Sequence, residues 1–170
     1  MRLFFFGSLV DRDLLRLVLA RDLATLTVRP ATLPGWRRVR VLGESYPVIV
    51  PATDHAVDGI TVESLRPDDL DRLLFFEGDE YALRPVDIAH GGLPARAHVF
   101  ASTEILRATD RDWHLDDWRR TEKAEAMYVT EEWMALHGRL TIEQAEERWE
   151  DVKARALARF ATDQRRRRAG

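Results

Sequence analysis

Cysteine is absent from this 170-residue chain. Disulfide staples, Cys-ligated zinc, iron–sulfur clusters and a thiol nucleophile are therefore excluded, and any covalent catalysis must use another group. Lysine is nearly missing too: it occurs at Lys123 and Lys153, and the other 24 of the 26 basic residues are arginine, the bias of a high-GC genome. Long apolar runs are also lacking. No stretch approaches the roughly 20 residues that cross a bilayer, and Leu3-Phe4-Phe5-Phe6 has neither the long apolar segment nor the small-residue cleavage site of a signal peptide. A cytoplasmic protein without a membrane partner is expected. Generic catalytic signatures fail as well, with no phosphate-cradling glycine loop, no G-x-S-x-G elbow and no HExxH. The histidines, His55, His90, His98, His114 and His137, include no pair three or four apart that would share a helix face, so no metal site is expected. His90 and His98 flank a chain reversal and are placed to face each other across a hairpin, a pairing read as structural.

What is present is the composition of one packed domain. Hydrophobic residues make up 45% and charged residues 32%, with a net charge of −3, enough for a real core in a chain of this length. Residues 139–170 carry nine basic and six acidic side chains, an asymmetry too small to demand nucleic acid. The run Arg165-Arg166-Arg167-Arg168 lacks interleaved aromatics and reads as a solvated basic tail, 165–170, after a single domain, 1–164.

Residues 2–6 predict a short buried strand that stops at a turn, Gly7 to Val10. A helix follows over 11–20, with Asp11 as N-cap and Leu14, Leu15, Val18 and Leu19 on one face. Four β-rich segments come next, 25–33, 36–42, 47–51 and 57–64, separated by Pro34-Gly35, Gly43-Glu44-Ser45 and Thr53-Asp54-His55. Pro67 opens a helix through about Phe76 that Gly78 helps to end. Strands near 83–90 and 95–101 close the sheet region by Ser102. Beyond Thr109 the chain reads as helical: one segment around Trp113 and Trp118, and one around Trp133 that Thr130 caps and Gly138 terminates. A capping box at Thr141 and Gln144 starts a long final helix along Ala145, Trp149, Val152, Ala156 and Phe160. Strands in front and helices behind indicate an α+β fold, with helices packed on a strongly curved sheet or small barrel.

Two features carry chemistry. The turn Phe5-Phe6-Gly7-Ser8-Leu9 either serves as a plain strand-to-helix connection or offers successive backbone N–H groups to a carboxylate or an oxyanion. Glu77 is either an exposed acid at a helix end or, beside Phe75 and Phe76, a carboxyl whose ionisation apolar walls disfavour, tuned toward a general base.

Together these residues resemble the γ-glutamylcyclotransferase-like, or AIG2-like, family. Its F-Y-G-[ST]-L turn is matched by Phe5-Phe6-Gly7-Ser8-Leu9. Its segment with an aromatic, Glu-Gly and a downstream Tyr is matched by Leu73 to Tyr81, continued by Leu83-Arg84-Pro85-Val86. Leu33-Pro34-Gly35-Trp36, Tyr46-Pro47-Val48-Ile49 and Val57-Asp58-Gly59 look like the family's intermediate strands and turns, so the resemblance spans about 2–101, and the helices over 109–164 look similar to those of bacterial members. The resemblance implies a small mixed β-barrel with flanking helices and a helical C-terminal third. It further implies Glu77 as catalytic acid/base and Phe6, Gly7, Ser8, Leu9 and Tyr81 as substrate-binding, with no cofactor or metal. Phe6 stands where the family usually has Tyr, and Tyr81 follows Glu77 by a shorter loop than in some members.

The implied reaction belongs to a small-molecule γ-glutamyl amide, whose own α-amine reaches the γ-carbonyl and closes a five-membered ring, releasing 5-oxoproline and an amine. One carboxylate near both nitrogens serves as base and then as acid. The alternatives left open by the residues are a non-catalytic metabolite- or partner-binding module on the same fold and an adaptor that uses the Arg run.

Overall fold

The computed structural model describes residues 1–103 and 106–169. Its first strand, β1 (Leu3–Phe5), runs into a single 3₁₀ turn (Ser8–Val10) and then α1 (Arg12–Leu19). Side chains alternate along an extended strand, and here both faces are buried. Phe4 and Phe6 point to one cluster with Leu33, Ile49, Val57, Ile88 and Val99. Leu3 and Phe5 point to the opposite one with α1, Leu73, Phe75, Trp118 and Trp133. That two-sided burial is why the run is continuously apolar.

The rest of the sheet comprises β2 (Thr27–Val41), β3 (Pro47–Glu63), β4 (Tyr81–His90), β5 (Leu93–Ser102) and β6 (Ala108–Asp112). Its order is β3-β1-β5-β4-β2-β6, and β2 also pairs with β3. The first five strands therefore form a ring, with β6 on its margin. β1 is parallel to β5 and the other pairings are antiparallel. The closure is loose, since β2 meets β4 only through Ala31↔His90 and Thr32↔Ala89. The fold is thus α+β with a mixed, loosely closed barrel.

Several expectations change. Pro34-Gly35 does not separate two strands: the β2–β3 register jumps from Pro34↔Ala56 to Trp36↔Pro51, so residues 52–55 of β3 bulge out opposite Gly35 of one long strand. Thr53-Asp54-His55 likewise lies inside β3. The ladder from Thr27↔Glu63 to Arg40↔Pro47 pairs both strands before and after this bulge, so the chain continues as strand on each side of it. His98 lies opposite Pro85 and His90 opposite Leu93, so the two histidines do not face each other. β6 lies where helix was expected to begin.

The helices fall on one side of the barrel. Asp11 caps α1 by accepting the N–H groups of Asp13 and Leu14 at 3.1 and 3.3 Å, as its position implied. The same carboxylate, 3% exposed, takes Arg119 Nε at 2.9 Å and pairs with Lys123, which ties α3 (Leu115–Thr121) and α4 (Lys123–Met134) to α1. Thr130 is therefore not an N-cap. It lies inside α4, because the sequence from Lys123 onward has no breaker and Asp11 anchors its start. The capping box at Thr141 and Gln144 is present and opens α5 (Ile142–Glu146), but the expected long final helix divides. A tight bond from Arg148 N–H to Ala145 C=O separates α5 from α6 (Trp149–Ala169). Arg165 to Arg168 are exposed residues of the last turns of α6, not a segment beyond it. Gly170 lies outside the described residues. Among the described residues no helix is long and apolar enough to cross a membrane.

Candidate active site

Between the barrel's end and the helical layer lies a cavity of about 400 Å³. Phe6, Gly7, Ser8, Leu9, Glu77 and Tyr81, the residues singled out in the sequence, all border it. They come from three elements, the first far from the other two, which are neighbours in the chain. β1 delivers the Gly7–Leu9 turn, α2 (Pro67–Glu77) delivers Glu77 as its last residue, and β4 begins with Tyr81.

Phe6 contributes backbone rather than ring. Its side chain is buried in the barrel cluster, and its carbonyl accepts Arg38 Nη1 at 2.5 Å. Arg38 Nε also reaches the Trp113 carbonyl at 3.0 Å, so β2 and the start of the helical region are pinned to this turn. Burial pushes the Arg38 guanidinium down from its ordinary pKa, against the opposing charges of Asp58 and Asp112. Since the Phe6–Gly7 peptide is trans, holding its C=O toward Arg38 turns the Gly7 N–H the opposite way. Ser8 and Leu9 open the 3₁₀ turn, where N–H groups have no acceptor earlier in the helix. Gly7 has φ −104°, so positive φ is not what requires glycine. A Cβ there would lie 3.0 Å from Pro47 Cγ, and this close approach is the physical reason for the residue.

α2 forms because Pro67 occupies its first turn, Asp68 and Asp69 favour its positive end, and Asp69 accepts the Arg66 N–H at 2.7 Å. It ends at Gly78, whose φ is 62°, a conformation glycine adopts without a Cβ penalty. Glu77 is half-buried and lines the cavity. Burial, with the Glu80 charge adding to it, pushes its carboxyl up to about 8. A carboxyl near neutral pKa in a cleft is the state suited to proton transfer.

Tyr46, Glu80 and residues of the helical layer, none of them singled out in the sequence as site residues, complete the wall together with Tyr81. Tyr46 donates to Glu80 at 2.9 Å and Tyr81 donates to the Pro47 carbonyl at 2.9 Å, with their rings edge-on at 6.4 Å. Both phenols are pushed up, by burial first and then by neighbouring carboxylates, so they remain neutral donors. Glu80 is also pushed up by burial, although the Tyr46 hydroxyl opposes this. From the helical layer come Trp133, Glu146, Trp149 and Lys153. Only an aromatic-rich helix pattern marked the tryptophans in the sequence, and that pattern reads equally as core.

A model of the family described as Gamma-glutamyl cyclotransferase, AIG2-like matches residues 3–120. AIG2-like protein A of Arabidopsis thaliana is 32% identical over 123 residues, covering 71% of this chain and 73% of its own. AIG2-like protein D of the same plant is 30% identical over 136 residues, covering 76% and 86%. The solution structure of another Arabidopsis thaliana protein, 26% identical, superposes with a TM-score of 0.55 over 82% of this chain and 94% of that one. A gamma-glutamyl cyclotransferase structure shares the fold, with a TM-score of 0.53 at 13% identity over 86% and 85% of the two chains. A match over most of the sequence, with relatives at this identity, means that the chain belongs to the gamma-glutamyl cyclotransferase, AIG2-like family.

Proposed function

We propose that this protein is a cytoplasmic γ-glutamyl cyclotransferase-like enzyme that converts a small γ-glutamyl amide into 5-oxoproline and a free amine. The observation that carries the reading is Glu77, raised to about 8, in the same cavity as the Gly7–Leu9 turn. Membership of the family supports the same class of activity.

In this reading the turn's N–H groups hold the γ-glutamyl part and meet the oxyanion that develops on the γ-carbonyl oxygen. Glu77, ionised, takes a proton from the substrate's α-ammonium. The freed nitrogen attacks the γ-carbonyl carbon, closing the five-membered ring in a tetrahedral intermediate. The bond to the leaving nitrogen then breaks as Glu77 returns the proton to it, and the second proton of the ring nitrogen passes to the departing amine, which leaves as an ammonium. No water is consumed, and Glu77 ends the cycle as it began. The substrate supplies its own nucleophile at high effective concentration, so the protein is left with orientation, proton transfer worth roughly 10²–10⁴-fold, and oxyanion stabilisation. Phe6 removes a phenol the family usually has, but in this arrangement the donors are backbone groups and persist.

The test is to incubate the protein with γ-glutamyl amino acids, γ-glutamylamines and glutathione and to assay 5-oxoproline. Release from at least one substrate, lost in Glu77→Gln, supports the enzyme. Calorimetric binding of a panel member without release, in wild type, overturns it in favour of a binding module.

A further inference from the structure

The family match ends at residue 120, yet much of the cavity's far wall comes from later in the chain, including Val129, Thr130, Trp133, Glu146 and Trp149. Two contacts from this helical layer hold the chain on either side of Glu77, one a hydrogen bond and one a close packing of side chain on backbone. Before it, Trp133 Nε1–H donates to the Phe75 carbonyl at 3.0 Å, satisfying a C=O among those left without partners at a helix end. After it, the Glu146 carboxylate lies so close over Gly78 that a Cβ on that residue would collide with its Oε1. The Trp133 ring packs on Phe75 at 5.3 Å and on Trp149 at 5.4 Å, so the first clamp has aromatic backing. The second rests on Glu146 alone, at the end of α5.

We propose that Glu146 is a positioning residue for Glu77: by packing its carboxylate over Gly78 it fixes the Gly78–Asp79 turn and keeps the Glu77 carboxylate directed into the cavity. This rests on the reading of Glu77 as the acid/base. The physical argument is that Gly78, with its positive φ, is the most adaptable backbone position beside Glu77, and a free turn there lets the carboxylate swing toward water. The Glu146 carboxyl is itself half-buried and pushed up by burial and by the Asp79 charge, with the nearby Asp79 backbone opposing this. Its place over Gly78, rather than its charge, does the holding, so an amide of the same shape at this position preserves the contact. Part of the site is therefore built by the helical segment outside the family-matched region.

The primary readout needs no substrate. The Glu77 side-chain carboxyl is followed by carbon-13 NMR titration, its resonance assigned by its loss in Glu77→Gln. In wild type and Glu146→Gln it is expected to titrate at about 8, and in Glu146→Ala its midpoint is expected to fall by roughly one pH unit or more toward the solvated value. Thr141→Ala, which weakens the cap of the same helix without touching Glu146, controls for loss of α5. It is expected to lower the melting temperature while leaving the Glu77 titration in place. With a turned-over substrate, Glu146→Ala should lower kcat about tenfold with KM changed much less, and Glu146→Gln should restore it. An unchanged Glu77 titration in Glu146→Ala overturns the proposal, as does a Thr141→Ala titration that moves equally or a Glu146→Gln variant as impaired as Glu146→Ala. If Glu77→Gln turns over like wild type, the acid/base reading fails instead, and the titration still decides whether Glu146 holds the turn.

Discussion

Replacing Glu77 by Gln should stabilise the protein while abolishing its turnover, and the stabilisation should grow with pH. Unfolded, this carboxyl titrates near its ordinary value of 4.5, and in the fold it is raised to about 8. Between those values the native state keeps a proton that the unfolded state has released. The slope of unfolding free energy with pH is therefore negative, and stability present below about 4.5 is lost progressively as pH rises through 8. A tenfold difference in proton affinity between the folded and unfolded chain is worth about 1.4 kcal/mol, so the penalty that Glu77 imposes is about 1 kcal/mol near pH 5, roughly 3 near pH 7 and about 5 near pH 9. Water in the cavity screens part of this, so a span of a few kcal/mol is expected. Gln keeps the volume and cannot ionise. Urea unfolding of both proteins across this pH range should give curves that converge in acid and separate in alkali, with 5-oxoproline release absent from the variant. Parallel stability curves would refute the claim that the fold holds Glu77 against ionisation. A stable, folded and fully active variant would refute its role as base. A residue that weakens the fold and is needed for turnover has the character of a functional group held under strain.

Gly7→Val should weaken binding of a γ-glutamyl ligand more than Ser8→Ala, because the added side chain crowds Pro47, whose carbonyl also holds Tyr81. Calorimetry on both variants checks this, and a more harmful Ser8→Ala would mean that the site depends on the hydroxyl. Truncation after Gln164 should leave turnover unchanged and the melting temperature within a degree or two, since Arg165 to Arg168 are exposed. A drop of several degrees would show that the run docks on something. Asp69→Ala should cost about 3–5 kcal/mol in urea at neutral pH, because Asp69 is 0% exposed and pairs with Arg21 at 2.7 Å and with Arg66. Burial raises the Asp69 pKa, but the hydrogen bonds from Arg66 and Arg21 outweigh it and hold it below the ordinary value. Its contribution is therefore present above about pH 4 and lost as pH falls through the depressed value, so variant and wild type should converge in acid.

Local chemistry in the sequence was enough to place α1, α2 and α5, because Asp11, Pro67 with Asp69, and Thr141 with Gln144 each satisfy orphan N–H groups within one turn of themselves. It left Gly7–Leu9 and Glu77 with two readings each, and only the resemblance to the family, not local chemistry, singled them out as site residues. Features that depend on partners distant in the chain were not readable locally. β6 has no apolar alternation and is mostly exposed. It exists because Val39 and Val41 pair with Asp112 and Ala108 and Thr109 Oγ1 donates to the Arg40 carbonyl at 2.8 Å. Turn-like residues at Pro34-Gly35 and Thr53-Asp54-His55 meet in a bulge within two long strands because β2 and β3 pair on both sides of them. Tertiary structure alone also brought Trp133 and Glu146 to the end of α2, since their contacts span 58 residues to Phe75 and still more to Gly78. The raised pKa of Glu77 belongs to the same category. Phe75 and Phe76 supply an apolar neighbourhood in sequence, but the desolvation that suppresses ionisation comes from walls that assemble only when the helical layer folds onto the barrel.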